Sequence, residues 1–280
     1  MVTDADLYRR SSQYQKWSFT KDQLAELLAK PNRNVPPHEL ALTVQEEQQL
    51  ILYYAAEQVK SVCQQFKLPS QVRATAISFF RKFYMRYSVM EYHPKLILPT
   101  CVFFAAKAEN AFMSITTFCD SLAKTEPSQI LDLEFLLFKT LEFTATVHNG
   151  LRPLHGFFLD MQTVLDTFDR TELCSIHDKA KSLIVDSFVS DVCFLYTPTQ
   201  IALAALMEVN ELAATQYMAQ SMDGPNTSLD RLLTLIHGCR QQLVVNLPSQ
   251  EEVKGISKKL SRYYKDTGSE GPATKKQRTN

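Results

Sequence analysis

Three sets of residues in this sequence could do chemistry. The first is a run of histidines and carboxylates in the order His148, His177-Asp178, Asp186 and Asp191. Two imidazoles with carboxylates are a donor set for a hydrolytic divalent metal. Glu172, Lys179 and Lys181 surround His177, however, and predict an exposed polar face there. The second set is six cysteines, Cys63, Cys101, Cys119, Cys174, Cys193 and Cys239, with no Cys-x-x-Cys pair among them. Most fall in apolar helical runs, so they are expected as reduced core thiols, not a zinc site or a disulfide frame. The third is a pair of charges beside apolar runs. Lys107 closes the apolar stretch that begins at Leu96, where a cation complements a helix macrodipole by roughly 0.3–1 kcal/mol. Glu134 sits in the leucine-rich stretch 131–141 and, taken alone, reads as a solvated helix residue. No glycine-rich phosphate loop, Gly-x-Ser-x-Gly elbow or His-Glu-x-x-His is present, and no cofactor is implied.

The elements that position these residues are helices. Seven glycines in 280 residues are too few for a turn-rich sheet protein. After a polar stretch ending in Trp17 and Phe19, Thr20 can cap a short helix that stops near Pro31-Asn32. Thr43 with Glu46 forms a potential capping box for a long helix striped by Ile51, Ala55, Val59, Val62 and Phe66. Ser70 is expected to cap the next, striped by Val72, Ala76, Phe79, Phe83 and Tyr87. Residues 96–107 are apolar on every side, so that helix must be surrounded by others. Pro99 would cost roughly 3 kcal/mol in a helix interior, which predicts that the helix proper starts near Pro99. Ser114–Leu122 and a helix from Glu126-Pro127 to about Phe143 complete a set of five.

Asn149-Gly150 marks a turn, and a second set begins there: 153–165, 171–192, a helix opened by Pro198-Thr199-Gln200, 212–222 and 228–245. Asp223-Gly224-Pro225-Asn226 breaks the last two. Pro248-Ser249 caps a final helix to about Tyr264. The expected organisation is all-α: an N-terminal segment with a short helix over 1–43, five helices over 44–147, five more over 148–247, and a helix with a polar, disordered tail over 248–280. In each set the third helix is apolar, carries alanines and comes after a proline, the sign of a long-period duplication.

Composition removes several functions. Hydrophobic residues make up 45% of the chain, enough to fill two cores. Thirty basic and thirty acidic residues balance, whereas a dedicated nucleic-acid binder carries a basic surplus. The stretch 96–106 is too short to cross a bilayer, and residues 1–10 lack the apolar core of a secretory signal. A soluble, intracellular protein without direct nucleic-acid or membrane binding is expected. The segment 251–280 holds eight Lys or Arg and four acids, and Lys275-Lys276-Gln277-Arg278 has the form of a nuclear-import signal.

Two five-helix sets of this size resemble the cyclin fold, in which each set is a cyclin box. Phe79-Phe80-Arg81-Lys82-Phe83-Tyr84 with Ser88-Val89-Met90-Glu91-Tyr92-His93-Pro94 resembles the junction between second and third helices of H-type cyclins. Thr100-Cys101-Val102-Phe103-Phe104-Ala105-Ala106-Lys107 is similar to the general third-helix signature. Val147-His148-Asn149 with Arg152-Pro153 and Gly156-Phe157, Leu195-Tyr196-Thr197-Pro198-Thr199-Gln200-Ile201-Ala202-Leu203, and Trp17-Ser18-Phe19 resemble the H type again. The similarity covers roughly residues 11–264. The resemblance implies that Lys107 and Glu134 bind a cyclin-dependent kinase near its mobile C-helix, with Ala108, Phe138 and Phe143 as the apolar surround. It further implies a nuclear activator without catalysis of its own. Its partners would be the kinase catalytic subunit, a RING-finger assembly subunit of the CDK-activating kinase, and transcription factor IIH. Departures are the small Ala108, the proline at 99, and a first helix (Gln45-Glu46-Glu47-Gln48-Gln49) too polar for a hydrophobic substrate-docking motif. Alternatives are a C-type transcriptional cyclin, a cyclin-fold promoter adaptor of the transcription factor IIB kind, and a helical metal phosphohydrolase using the His…His-Asp…Asp order.

Overall fold

The computed structural model of the protein describes residues 8–122, 125–221 and 229–268. Among them every regular element is helical. The chain forms two compact units, one from residues 21–146 and 246 onward, the other from residues up to Thr20 and 147–245.

Helix α1 (Ser12–Trp17) belongs to the latter unit. Its Gln13 is buried and exchanges two hydrogen bonds with the backbone of His148. Gln13 Nε2 donates to the carbonyl at 2.9 Å, and the His148 N–H donates to Gln13 Oε1 at 2.7 Å. Helix α2 (Lys21–Arg33) includes Pro31 and ends next to the expected stop at Pro31-Asn32. Its end is anchored by Asn32, whose Nδ2 donates to the Leu42 carbonyl at 2.8 Å and to Glu47 Oε1 at 2.6 Å.

Helix α3 (Val44–Tyr53) starts on the expected capping box, with Glu46 N–H on Thr43 Oγ1 and Thr43 N–H on Glu46 Oε2. A π-helical turn, Tyr54–Gln58, joins it to α4 (Val59–Gln65). The extra residue in that turn rotates α4 relative to α3. Ala55, Val59 and Cys63 therefore face the core, while Ile51, Val62 and Phe66 of the expected stripe are only half-buried. In α5 (Ser70–Tyr84) Pro69 holds the N-cap position and makes no side-chain bond, so Ser70 is the first helical residue and not the cap.

Helix α6 (Pro94–Ala108) corrects the expectation at Pro99. His93 caps it by accepting the Lys95 N–H on Nδ1 at 3.1 Å, and Pro94 takes the first position, where its missing N–H costs nothing. Pro99 then removes only the bond to the Lys95 carbonyl, at an exposed residue near the helix start. Helices α7 (Ile115–Asp120) and α8 (Pro127–Thr140) complete the set. Helix α6 is the buried centre of this unit, packed against α4, α5 and α8.

The other unit comprises α9 (Leu151–Val164), α10 (Arg170–Ser187), the one-turn α11 (Val192–Leu195), α12 (Pro198–Val209), α13 (Glu211–Ser221) and α14 (Leu229–Arg240). Helix α12 is its centre, touching α9, α10, α13 and α14. Ala202, Ala204 and Ala205 are fully buried along it, and their small side chains permit that crowding. Gly150 permits it too, since a Cβ there would lie 3.2 Å from the Pro198 carbonyl. Helix α10 ends five residues before the expected Val192. Ser187 and Ser190 hydroxyls bond the Ile184 and Ser187 carbonyls, and Ser190 Oγ accepts the Val192 N–H, drawing the backbone out of the helix. Helix α14 ends at Arg240, not Val245. The expected break at 223–226 and the Lys275–Arg278 motif lie outside the described residues.

Helix α15 (Gln250–Asp266) starts on the Ser249–Glu252 capping box and packs on α3. Lys259 Nζ contacts Glu46 at 2.7 and 3.1 Å, and Tyr264 Oη donates to the Val89 carbonyl at 2.7 Å. The Ser88–Pro94 string is thus a junction. Ser88 Oγ donates to buried Glu47 at 2.8 Å, Val89 N–H to the same carboxylate at 3.2 Å, and Leu42 N–H meets Met90 Sδ at 3.2 Å. The junction ends in the cap that starts α6.

Candidate partner-binding site

Helices α6 and α8 pack side by side, and each brings one charge to their common edge. Lys107 lies in the last turn of α6 and Glu134 in the middle of α8. Their side chains form an ion pair between Lys107 Nζ and Glu134 Oε1. The lysine side chain is 40% exposed and the glutamate 16%, so the pair is sheltered yet reachable. A half-exposed pair stabilises a fold by only about 0–1 kcal/mol. Its geometric effect is larger, because it fixes two long side chains in one orientation.

Two buried aromatic rings flank the lysine. Lys107 Nζ stands 5.5 Å from the Phe103 ring centre and 5.9 Å from that of Phe104. A row of rings runs outward from the core: buried Phe79 to Phe104 at 5.5 Å, Phe104 to Phe138 at 5.3 Å, Phe138 to Phe143 at 5.3 Å, and Phe143 to Phe135 at 6.4 Å. Phe143 is 58% exposed and Phe135 67%. Each would gain roughly 1–2 kcal/mol if a partner buried the part that is still exposed. Ala108, half-buried beside Lys107, leaves a shallow surface there.

Both helices end in the same way. After α6, Asn110 is left-handed (φ 58°), Ala111 N–H reaches back to the Ala106 carbonyl at 2.8 Å, and Asn110 N–H to that of Lys107 at 3.2 Å. After α8, Glu142 and Phe143 are both left-handed (φ 53° and 58°), with Phe143 N–H on Phe138 O at 2.9 Å and Glu142 N–H on Lys139 O at 3.0 Å. These are Schellman closures. Asparagine adopts that region readily, but glutamate and phenylalanine do so at a cost. Glu142 is held there by an ion pair to Arg86. This forced turn lays the Phe143 ring on Phe138 with its outer face in solvent.

The sequence-predicted residues Lys107, Glu134, Ala108, Phe138 and Phe143 all lie on α6, α8 or the turn that ends α8. Sequence reasoning missed the exposed Phe135 and the strained turn. A phenylalanine next to leucines in a helix reads as core, and nothing in Glu142-Phe143 announces a positive φ. Elsewhere, His177 Nδ1 lies 3.3 Å from Asp178 Oδ1, and its ring packs on Phe158 and His155. Among the described residues no group of three His, Cys, Asp or Glu is placed to hold a metal ion. None of their helices is long and apolar enough to cross a membrane. The six cysteines are free thiols. Five are buried and Cys174 is exposed. Burial pushes the Cys63 and Cys239 thiols up to about 12, far from the reactive thiolate.

Comparison with known proteins decides the family. Residues 23–146 match the cyclin N-terminal domain and residues 149–244 the cyclin C-terminal domain. The chain belongs to the cyclin family. Cyclin CCL1 of Saccharomyces cerevisiae is 39% identical over 243 residues, 78% of this chain and 61% of that protein, so the chain spans less than two thirds of that relative. Among solved structures, a chain of the yeast TFIIK (Kin28/Ccl1/Tfb3) complex is 39% identical with a TM-score of 0.75, covering 85% of this cyclin and all of its counterpart. A chain of the Chaetomium thermophilum CAK complex bound to ATP-gamma-S is 27% identical with a TM-score of 0.84, covering the whole of both chains.

Proposed function

We propose that this cyclin is the regulatory subunit of a cyclin-dependent kinase in a CDK-activating, transcription factor IIH-type assembly, and that Lys107 and Glu134 are its polar contacts. The observation that carries the reading is the sheltered ion pair at the joint edge of α6 and α8, backed by the Phe103 and Phe104 rings, with a row of rings leading from Phe104 through Phe138 to the exposed Phe143. A lysine and a glutamate so held can donate to a carbonyl and accept from an amide of a partner loop. Charge-assisted bonds of that kind are short and directional. Phe138, Phe143 and Ala108 supply the apolar area, and the charges set its register.

The mechanism rests on linkage. In a kinase the glutamate of the C-helix must pair with the lysine that holds the ATP phosphates. A cyclin that binds that arrangement better shifts the population towards it. Moving the equilibrium from about 1:99 to 99:1 takes roughly 5.5 kcal/mol of differential binding, within reach of a standard interface of about 1,600 Å². The resemblance to chains of the TFIIK and CAK complexes supports a third, RING-finger assembly subunit and a nuclear location. On this reading phosphoryl transfer to other cyclin-dependent kinases and to the polymerase II tail belongs to the partner, and this chain is not itself an enzyme. Purifying the chain from cells and identifying its co-purifying proteins by mass spectrometry tests the reading. An H-type assembly is expected to bring the CDK-activating kinase and its RING-finger subunit. Recovery of a different kinase would reassign the chain to a C-type role.

A further inference from the structure

Helix α15 carries a second charged surface that the kinase contact does not use. Lys254, Lys258, Ser261 and Lys265 recur at spacings of four, three and four, which places them on one helical face. All four are exposed. Lys259, on a different face, is consumed by Glu46 of α3, but among the described residues no carboxylate pairs with Lys254, Lys258 or Lys265. Beside this face α15 and α3 flank a shallow, open groove of about 430 Å³, lined by Tyr53 of α3 and by Gln250, Val253, Lys254, Ser257, Lys258 and Ser261. Lysines therefore meet a concave wall with hydroxyl groups, an amide and one aromatic ring.

We propose that this groove binds a phosphorylated peptide segment. Lys254 and Lys258 are one helical turn apart, about 5–6 Å between Cβ atoms. Alternate side chains of an extended peptide are about 6–7 Å apart, so two phosphoserines separated by one residue can each meet one lysine. Lys265 lies about 10 Å further along the helix axis, in reach of the next phosphoryl group. Each phosphoserine brings nearly two negative charges and three acceptor oxygens, which suits ammonium donors that have no internal acid. A nucleic acid fits less well. The chain has no basic surplus, and the groove has one tyrosine where single-stranded binders offer successive stacking platforms. The proposal rests on the kinase-activator reading for the source of the phosphopeptide, since a kinase held on the same chain would generate it. The groove would then keep a partly phosphorylated substrate near the kinase.

The test uses the full chain without kinase, so that it stands apart from the activator reading. The probe is a fluorescein-labelled Gly-Ser peptide with two phosphoserines separated by one residue, monitored by anisotropy. Binding is expected to be at least tenfold tighter than for the unphosphorylated peptide, to weaken with added salt, and to fall at least tenfold in Lys254→Glu with Lys258→Glu. Lys254→Gln with Lys258→Gln should show an intermediate loss with an unchanged helical circular dichroism signal. Equal affinity for the phosphorylated and unphosphorylated peptides, or unchanged affinity in the charge-reversed variant, would overturn the proposal. So would tighter binding of a single-stranded RNA to the same lysines. If kinase co-purification fails while phosphopeptide binding holds, the activator reading is lost and the groove remains.

Discussion

Two carboxylates in the 21–146 unit face opposite fates. Glu134 sits at a surface with Lys107 for a partner, and that lysine in turn lies beside the Phe103 and Phe104 rings. Glu47 is 5% exposed and is held by neutral donors from Asn32, Ser88 and Val89. Burial raises the Glu47 pKa above the ordinary carboxylate range, against the lowering effect of those hydrogen bonds. The difference separates two uses of a charge. Glu47 ties three segments of its own chain together, and without it the Ser88 hydroxyl and the Val89 N–H would lose their acceptor. Glu134 ties one residue, Lys107, and leaves both partly open to something else.

The contrast makes graded predictions. The largest is at Glu47. Replacing it with alanine strands the Ser88 and Val89 donors, removes one of two bonds of Asn32, and should cost about 3 kcal/mol of stability in urea unfolding. A loss below about 1 kcal/mol would mean that the junction does not depend on this carboxylate. The protonated form of Glu47 is the one the fold favours. Its contribution is therefore fully present below the unfolded carboxylate pKa and is lost as pH rises through the raised folded value. Glu47→Gln should remove that part of the pH dependence.

The His93 cap at the end of the same junction has the opposite sign. Burial, with a smaller contribution from Lys95, lowers its pKa to about 4. The cap needs a neutral ring, because Nδ1 accepts an N–H. Stability from this group is full above about pH 6.5 and is lost as pH falls towards 4, about 2 kcal/mol of it by about pH 5. His93→Asn keeps a capping acceptor without a titration, and should flatten urea midpoints measured between about pH 7 and about pH 5. The same slope in the variant would place the titration elsewhere.

The smallest effect is in the turn after α6, at the rim of the proposed partner site. Asn110→Ala puts an alanine at φ 58° and should cost about 1 kcal/mol, with a matching small drop in thermal midpoint. No change would show that the turn after α6 is free to relax.

The difference between these regions also explains what was readable in the sequence. Capping boxes at Thr43, Thr197 and Ser249 are local patterns of four residues. Thr43 with Glu46 and Ser249 were legible for that reason, and so were the all-round apolar helices α6 and α12. The Lys107–Glu134 pair became legible only through the family resemblance, since twenty-six residues separate its members and each alone looks like a surface charge. Glu47 was not legible at all. Gln45-Glu46-Glu47-Gln48-Gln49 reads as a solvated face, and only packing of the junction against α3 buries its middle residue. Pro99 reads as a helix start from its intrinsic cost alone, whereas the favourable start at His93-Pro94 carries the helix through it. The π-helical turn and the left-handed Glu142-Phe143 are outcomes of tertiary packing that no periodicity encodes.

On the proposed reading the open charge pair recognises a kinase while adding little to this chain's own stability. Calorimetric titration of the partner kinase against the wild type and against Lys107→Ala with Glu134→Ala separates those two roles. Binding at least tenfold weaker is expected, with the variant's unfolding free energy within about 1 kcal/mol of wild type. Wild-type affinity in the double variant would contradict the assignment.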